Sequence, residues 1–147
     1  MDWQQMHRRC PSANFVFTAR LSGYRFAIAR HSRLRGCGTA NLLPHAGGEV
    51  WGVVYDVSAH DLMLLDGFED GYRRQYVWVS AANDGSKPCE VLVYIAEDQT
   101  APLPNAQYKR HLIDGARHWR LPQHYCEMLE TIEAAPVPGS AAFSRQQ

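Results

Sequence analysis

Leu64-Leu65-Asp66-Gly67-Phe68-Glu69-Asp70-Gly71-Tyr72 runs directly into Arg73-Arg74-Gln75-Tyr76-Val77-Trp78-Val79. This stretch reads as the end of a helix, an acidic turn and the start of a strand. Ser58 is placed to cap the helix, and Asp61, three residues on, suits its positive N-terminal end. Leu62, Met63 and Leu65 are its expected buried side. Gly67 is expected to break the helix and Gly71 to permit a second bend, so that Glu69 is held between two flexible backbone points.

Outward from this stretch, short elements follow one another in both directions. Glu49–Val57 is the clearest strand, an almost continuous run of β-prone apolar residues expected to be buried on both faces. Before it, Asn14–Arg20 and Tyr24–Arg30 read as a hairpin turning at Ser22-Gly23. His31–Gly38 reads as a loop, Thr39–Leu43 as a short strand, and Pro44, Gly47 and Gly48 as a further turn. After it, Tyr72–Ala81 and Pro88–Ala96 form a hairpin across Asn83-Asp84-Gly85-Ser86. Asp2–Arg9 is a short capped helix stopped by Pro11; Asn105 caps another, with Gly115 ending or interrupting it, and Pro122 opens a last one. Six or so strands and about four helices predict an α+β domain over residues 1–133, with 134–147 as a flexible tail.

The chain has 147 residues, 46% of them hydrophobic, enough for one domain with its own core. Fifteen basic and fifteen acidic residues cancel, which gives no push toward nucleic acid or a membrane surface. The distribution is uneven: no acid lies between Asp2 and Glu49, while Arg8, Arg9, Arg20, Arg25, Arg30, Arg33 and Arg35 do. Cys10, Cys37, Cys89 and Cys126 make no Cys-x-x-Cys pair and read as free thiols of a cytoplasmic protein. No apolar run approaches the ~20 residues of a membrane span. The serines lack a Gly-x-Ser-x-Gly setting, the histidines lack His-Glu-x-x-His spacing, and neither a dinucleotide nor a phosphate loop is present. No metal and no cofactor is expected.

On residue chemistry alone, Glu69 beside Asp70 is a solvated acid. The span Glu49-Val50-Trp51-Gly52-Val53-Val54-Tyr55, then Leu65-Asp66-x-x-Glu69 and Tyr76, resembles the core signature of the gamma-glutamylcyclotransferase family, the AIG2-like and butirosin-type cyclotransferase fold. Arg9-Cys10-Pro11-Ser12-Ala13, Gln107-Tyr108-Lys109, and Gly115-Ala116 followed by Leu121-Pro122-x-x-Tyr125 extend the resemblance, in the family's order, over residues 1 to 130. It implies a small mixed β-barrel with flanking short helices and a substrate cavity at one mouth.

The implied chemistry needs one carboxylate. In a gamma-glutamyl amino acid or amine, the α-amino nitrogen can attack the γ-carbonyl, close the ring of 5-oxoproline and expel the amine. Glu69 would take the proton from the attacking nitrogen and return it to the leaving one. The resemblance places Tyr94, Tyr76 and Tyr108 as substrate-binding tyrosines, Tyr94 foremost; the alternative is that all are core residues with hydroxyls at the rim. The family opens with a strand running into a Tyr-Gly-Ser-Asn loop that this chain lacks, so an unpaired strand edge and an apolar gap are expected. That absence keeps a rival open: a non-catalytic small-molecule-binding protein of the same fold.

Overall fold

A computed structural model describes residues 2–83 and 87–138. The elements in order are α1 (Trp3–Arg9), β1 (Asn14–Ser32), β2 (Cys37–Asp56), α2 (Ala59–Phe68), β3 (Tyr72–Ala81), β4 (Cys89–Ala96), α3 (Ala106–His118) and α4 (Gln123–Glu130).

The helix starts are where the sequence put them. Asp2 accepts from Gln5 N–H at 2.9 Å, Ser58 from Asp61 N–H at 3.1 Å and Asn105 from Tyr108 N–H at 2.7 Å, each satisfying a backbone donor that the first helical turn leaves free. Pro122 sits at the N-cap of α4. The interiors differ in detail. Gly115 neither ends nor interrupts α3; it is buried within it. Gly67 remains helical, and the bend falls at Gly71, at φ 80. Of the expected buried side of α2, Leu65 is buried but Met63 is 70% exposed.

The largest correction concerns the first half of the sheet. Ser22-Gly23 does not reverse the chain: β1 continues through it and pairs antiparallel with one long β2. The register steps from Ser22↔Glu49 to Tyr24↔Pro44, so His45–Gly48 bulge out opposite a single residue of β1. Gly23 (φ 82) and Gly47 (φ 77) absorb that bulge in left-handed conformations that other residues resist. The reversal lies at Arg33–Gly36, where Gly36 N–H donates to Ser32 O at 2.8 Å. The six or so short strands thereby become four among the described residues, two of them very long. The expected turn at Asn83–Ser86 lies mostly outside the described residues, as does the tail beyond Pro138; β3 and β4 pair as expected, from Tyr72↔Ala96 to Val79↔Cys89.

The sheet order is β2-β1-β3-β4, with every pair antiparallel. The α+β class holds, whereas backbone pairing among the described residues does not close the sheet into a barrel. β1 meets β3 only around Ala19↔Ala81 and Arg20↔Ser80, so two hairpins join at a short seam. β2 and β4 are the outer strands. At one end a side chain ties them: the buried Asn41 amide donates to Ala96 O and Asp98 O and accepts from Ala96 N–H. Elsewhere they diverge, and the Glu49–Asp56 half of β2 is half-buried rather than enclosed on both faces.

α3 and α4 cover the sheet. Ala116, Leu121, Tyr125 and Leu129 pack with Ala19, Leu21, Val50, Val77 and Val79 in the main core. A smaller cluster of Cys10, Ala13 and Leu65 fastens α1 to α2, joined by Ser12 N–H donating to the buried Asp61 carboxylate at 2.7 Å. That second cluster sets α1 against the acidic turn.

Candidate functional site

Glu69 is the C-cap residue of α2. Its N–H donates to Leu65 O and Asp66 O, and its carbonyl accepts from Tyr72 N–H at 3.0 Å, so three backbone contacts fix the turn from which the carboxyl projects. Arg30 of β1 braces the turn from behind. Its guanidinium donates to Asp70 O at 3.1 Å and to Asp98 Oδ2 at 2.9 Å. The contact explains Gly71 on a second ground besides its φ: a Cβ there would lie 1.9 Å from Arg30 Nη2.

The half-buried Glu69 side chain stands where two hollows meet. One is an apolar cleft of about 850 Å³ between the outer edges of β2 and β4, walled by residues such as Phe17, Leu42, Val54, Val91 and Val93. The other is a polar pocket of about 290 Å³ bounded by α1, the Arg33–Gly36 turn and the acidic turn. Burial pushes the Glu69 carboxyl above the ordinary carboxylate range, and the positive charges of Arg9 and Arg35 pull it partly back.

Tyr94 lines the apolar cleft with Glu69. Its hydroxyl donates to Asp66 Oδ1 at 2.6 Å, and Arg74 holds the same carboxylate through Nε at 2.9 Å and Nη2 at 2.6 Å. Burial, with Asp66 adding to it, pushes the Tyr94 phenol up to about 12, so it remains a donor at neutral pH. Tyr108 lines the polar pocket with Glu69; its oxygen accepts from Ala40 N–H at 2.9 Å, and burial raises its phenol strongly.

Tyr76 is not brought to this place. It is 66% exposed and lines neither hollow. Four residues earlier on the same strand, Tyr72 takes the position instead. Its hydroxyl donates to Ala40 O at 2.6 Å, lies 3.1 Å from Thr39 Oγ1, and its side chain walls the polar pocket beside Glu69. Sequence reasoning also passed over Arg9, Arg35 and Gln5. For the arginines a signal existed in the acid-free N-terminal stretch, an uneven distribution of charge that does not by itself say which arginines meet at one place.

Residues 49–129 match the AIG2-like family. The chain is 30% identical over 145 residues to a gamma-glutamylcyclotransferase of Homo sapiens, covering 95% of this chain and 77% of that protein. It is 31% identical over 143 residues to a protein of the same name from Mus musculus, covering 92% and 76%. A solved structure described as a gamma-glutamyl cyclotransferase superposes with a TM-score of 0.83 at 29% identity, covering 95% of this chain and 86% of that one. Resemblance of sequence and of fold thus run along the same residues, including the acidic turn at Glu69, and the chain belongs to the gamma-glutamylcyclotransferases of the AIG2-like family.

Proposed function

We propose that the protein cyclises a gamma-glutamyl amino acid or amine to 5-oxoproline with release of the amine, and that Glu69 moves the proton. The observation that carries the reading is the Glu69 carboxyl itself: fixed by its own turn, half-buried at the junction of the two hollows, and raised above its ordinary range by burial. A carboxyl in that state lies closer to the operating pH, where one group serves well as base and then as acid.

In this reaction the α-nitrogen forms a bond to the γ-carbonyl carbon while the amide bond to the leaving nitrogen breaks. The proton lost by the attacking nitrogen goes to Glu69 and then to the leaving nitrogen, so electrons and atoms balance without a cofactor. Ring closure is intramolecular, and the site's task is to fold the substrate over Glu69 and limit water. Tyr94 and Tyr108 flank the acid from the two hollows and are proposed as substrate contacts; Tyr76 has no comparable support. The Asn41 tie between β2 and β4 supports reading the sheet as an incomplete barrel. Four cysteines without a disulfide fit the reducing cytoplasm. No described helix is long and apolar enough to cross a membrane.

The open cleft favours one rival, a binding protein of this fold without turnover. A panel of gamma-glutamyl compounds assayed for 5-oxoproline decides between them. Release by the wild type and a fall of at least ~10²-fold in Glu69→Gln is the expected result; equal release by both proteins removes Glu69 from the mechanism, and no release from any compound leaves the rival.

A further inference from the structure

We propose that Arg9 and Arg35 form a cationic seat for a substrate carboxylate in the polar pocket, an inference that rests on reading the Glu69 site as one for gamma-glutamyl compounds. The two arginines reach the pocket from different elements, Arg9 from α1 and Arg35 from the turn between β1 and β2, and both line it together with Glu69. Each guanidinium is held by an aromatic ring. Arg9 Cζ lies 4.7 Å from the centroid of Phe68, and Arg35 Cζ lies 5.1 Å from that of Tyr108. Contact through the flat face orients a guanidinium and leaves its N–H edge available to a planar, doubly accepting group.

Neither of them has an acidic oxygen within 4.0 Å among the described residues. That sets them apart from Arg30, Arg73, Arg74 and Arg117, each of which meets a carboxylate of the protein. Among the described residues the carboxylate whose charge bears on Arg9 is Glu69, with a smaller contribution of the same sign from the Cys10 thiol, while Arg35 and Arg8 repel it. Arg33 and Asp70 line the pocket as well, so three cations face two acids, and one of those acids, Glu69, loses its charge whenever it holds the transferred proton. The pocket keeps a surplus of positive charge throughout, which an incoming carboxylate would neutralise. Its volume, about 290 Å³, is at the small end of ligand pockets, right for an amino-acid-sized end of a substrate.

A gamma-glutamyl amino acid offers two such groups, the α-carboxylate of the glutamyl half and the carboxylate of the leaving amino acid. Binding to the Glu69→Gln protein, measured by calorimetry, separates them without turnover. The ligands are γ-glutamylalanine, γ-glutamylalanine amide and γ-aminobutyrylalanine, the last keeping the glutamyl amino group and lacking only the α-carboxylate. Adding Arg35→Met should weaken carboxylate binding roughly ten- to a hundred-fold, the scale of a charged hydrogen bond, with Arg35→Lys in between. A loss seen for γ-glutamylalanine but not for its amide assigns the seat to the leaving amino acid; an equal loss for both, absent for γ-aminobutyrylalanine, assigns it to the glutamyl half. Arg9→Lys serves as the second variant, and a thermal melt confirms folding of each. Unchanged affinities in Arg35→Met and Arg9→Lys, or no binding of any of the three ligands, overturns the seat. Carboxylate-dependent binding without 5-oxoproline release would overturn the cyclisation instead and leave the seat standing.

Discussion

Replacing Asn41 by leucine tests whether a single amide holds the two outer strands together. Asn41 is 2% exposed, and its side chain acts as a substitute peptide group at the edge of β4. Nδ2 donates to Ala96 O at 2.9 Å and to Asp98 O at 2.8 Å, while Oδ1 accepts from Ala96 N–H at 3.0 Å. β3 does not offer the backbone donor that Ala96 O would otherwise use, since Tyr72 N–H is committed to Glu69 O. Leucine is close in volume, so the change removes hydrogen bonds rather than packing. Three bonds at a net ~0.5–1.5 kcal/mol each, with a further cost for leaving Ala96 N–H buried and unpaired, give a loss of about 3–4 kcal/mol. That is a large part of the ~5–15 kcal/mol expected for a domain. In urea, with a slope of about 1–3 kcal/mol/M, the midpoint should fall by roughly 2 M. Asn41→Asp keeps the acceptor and loses both donors, so it should not rescue. A midpoint shift below about 0.5 M for Asn41→Leu would refute the side-chain seam.

Other outcomes follow from the same geometry. Gly71→Ala meets both an unfavourable φ of 80 and the Arg30 guanidinium; it should cost about 1–3 kcal/mol and lower turnover because it moves the Glu69 turn, and a melting temperature equal to the wild type's would contradict this. Tyr94→Phe should raise KM several-fold, matching the loss of one hydrogen bond of about 1 kcal/mol, with kcat nearly unchanged; unaltered kinetics would return Tyr94 to a structural part beside Asp66. Hydrogen bonds from Ser12, through its hydroxyl and its backbone N–H, hold the Asp61 carboxyl below its ordinary 3.8. A depressed folded value means stability that is complete above that ordinary range and lost as pH falls through the folded one. Thermal melts from pH 5 downward should therefore show a smaller acid-induced drop for Asp61→Asn than for wild type, and identical curves would count against the linkage.

What the sequence disclosed and what it hid divide along a physical line. Helix starts were legible because Asp2, Ser58 and Asn105 act on donors only a few residues away. The turn that carries Glu69 was legible because Leu65, Asp66 and Tyr72, which fix it, are its neighbours in sequence, whereas Arg9, Tyr94 and Tyr108 reach its hollows from distant elements. The path of β1 and β2 was not legible. Ser22-Gly23 and Gly47-Gly48 carry the residues of tight turns, yet the same left-handed backbone serves a bulge when both strands continue, and only the pairing partner tells which is formed. Tyr72 and Tyr76 share one face of β3, so periodicity could not choose between them; the contacts of Tyr72 with Thr39 and Ala40, across the fold, make the choice. Arg35 was invisible for a similar reason, since its place against Tyr108 depends on where α3 lies.

Glu69 stands under opposing influences, and their balance is open to measurement. Burial disfavours its charged form, as does its position at the C-terminal end of α2, where backbone carbonyls present negative charge. Arg9 and, less strongly, Arg35 favour the charged form. In the proposed role of base Glu69 has to be ionised, so the acid limb of kcat/KM should track its titration in the free protein. Removing a nearby positive charge leaves burial less opposed and raises the carboxyl further. The limb should move to higher pH in Arg35→Met and further still in Arg9→Met, whereas Arg117→Met, away on α3 and paired with Glu130, should leave it in place. Titrating the Glu69 side-chain carboxyl by carbon NMR gives the same ordering without turnover. A limb that stayed put or moved to lower pH in both site variants would mean that the arginines do not act on Glu69 through their charge.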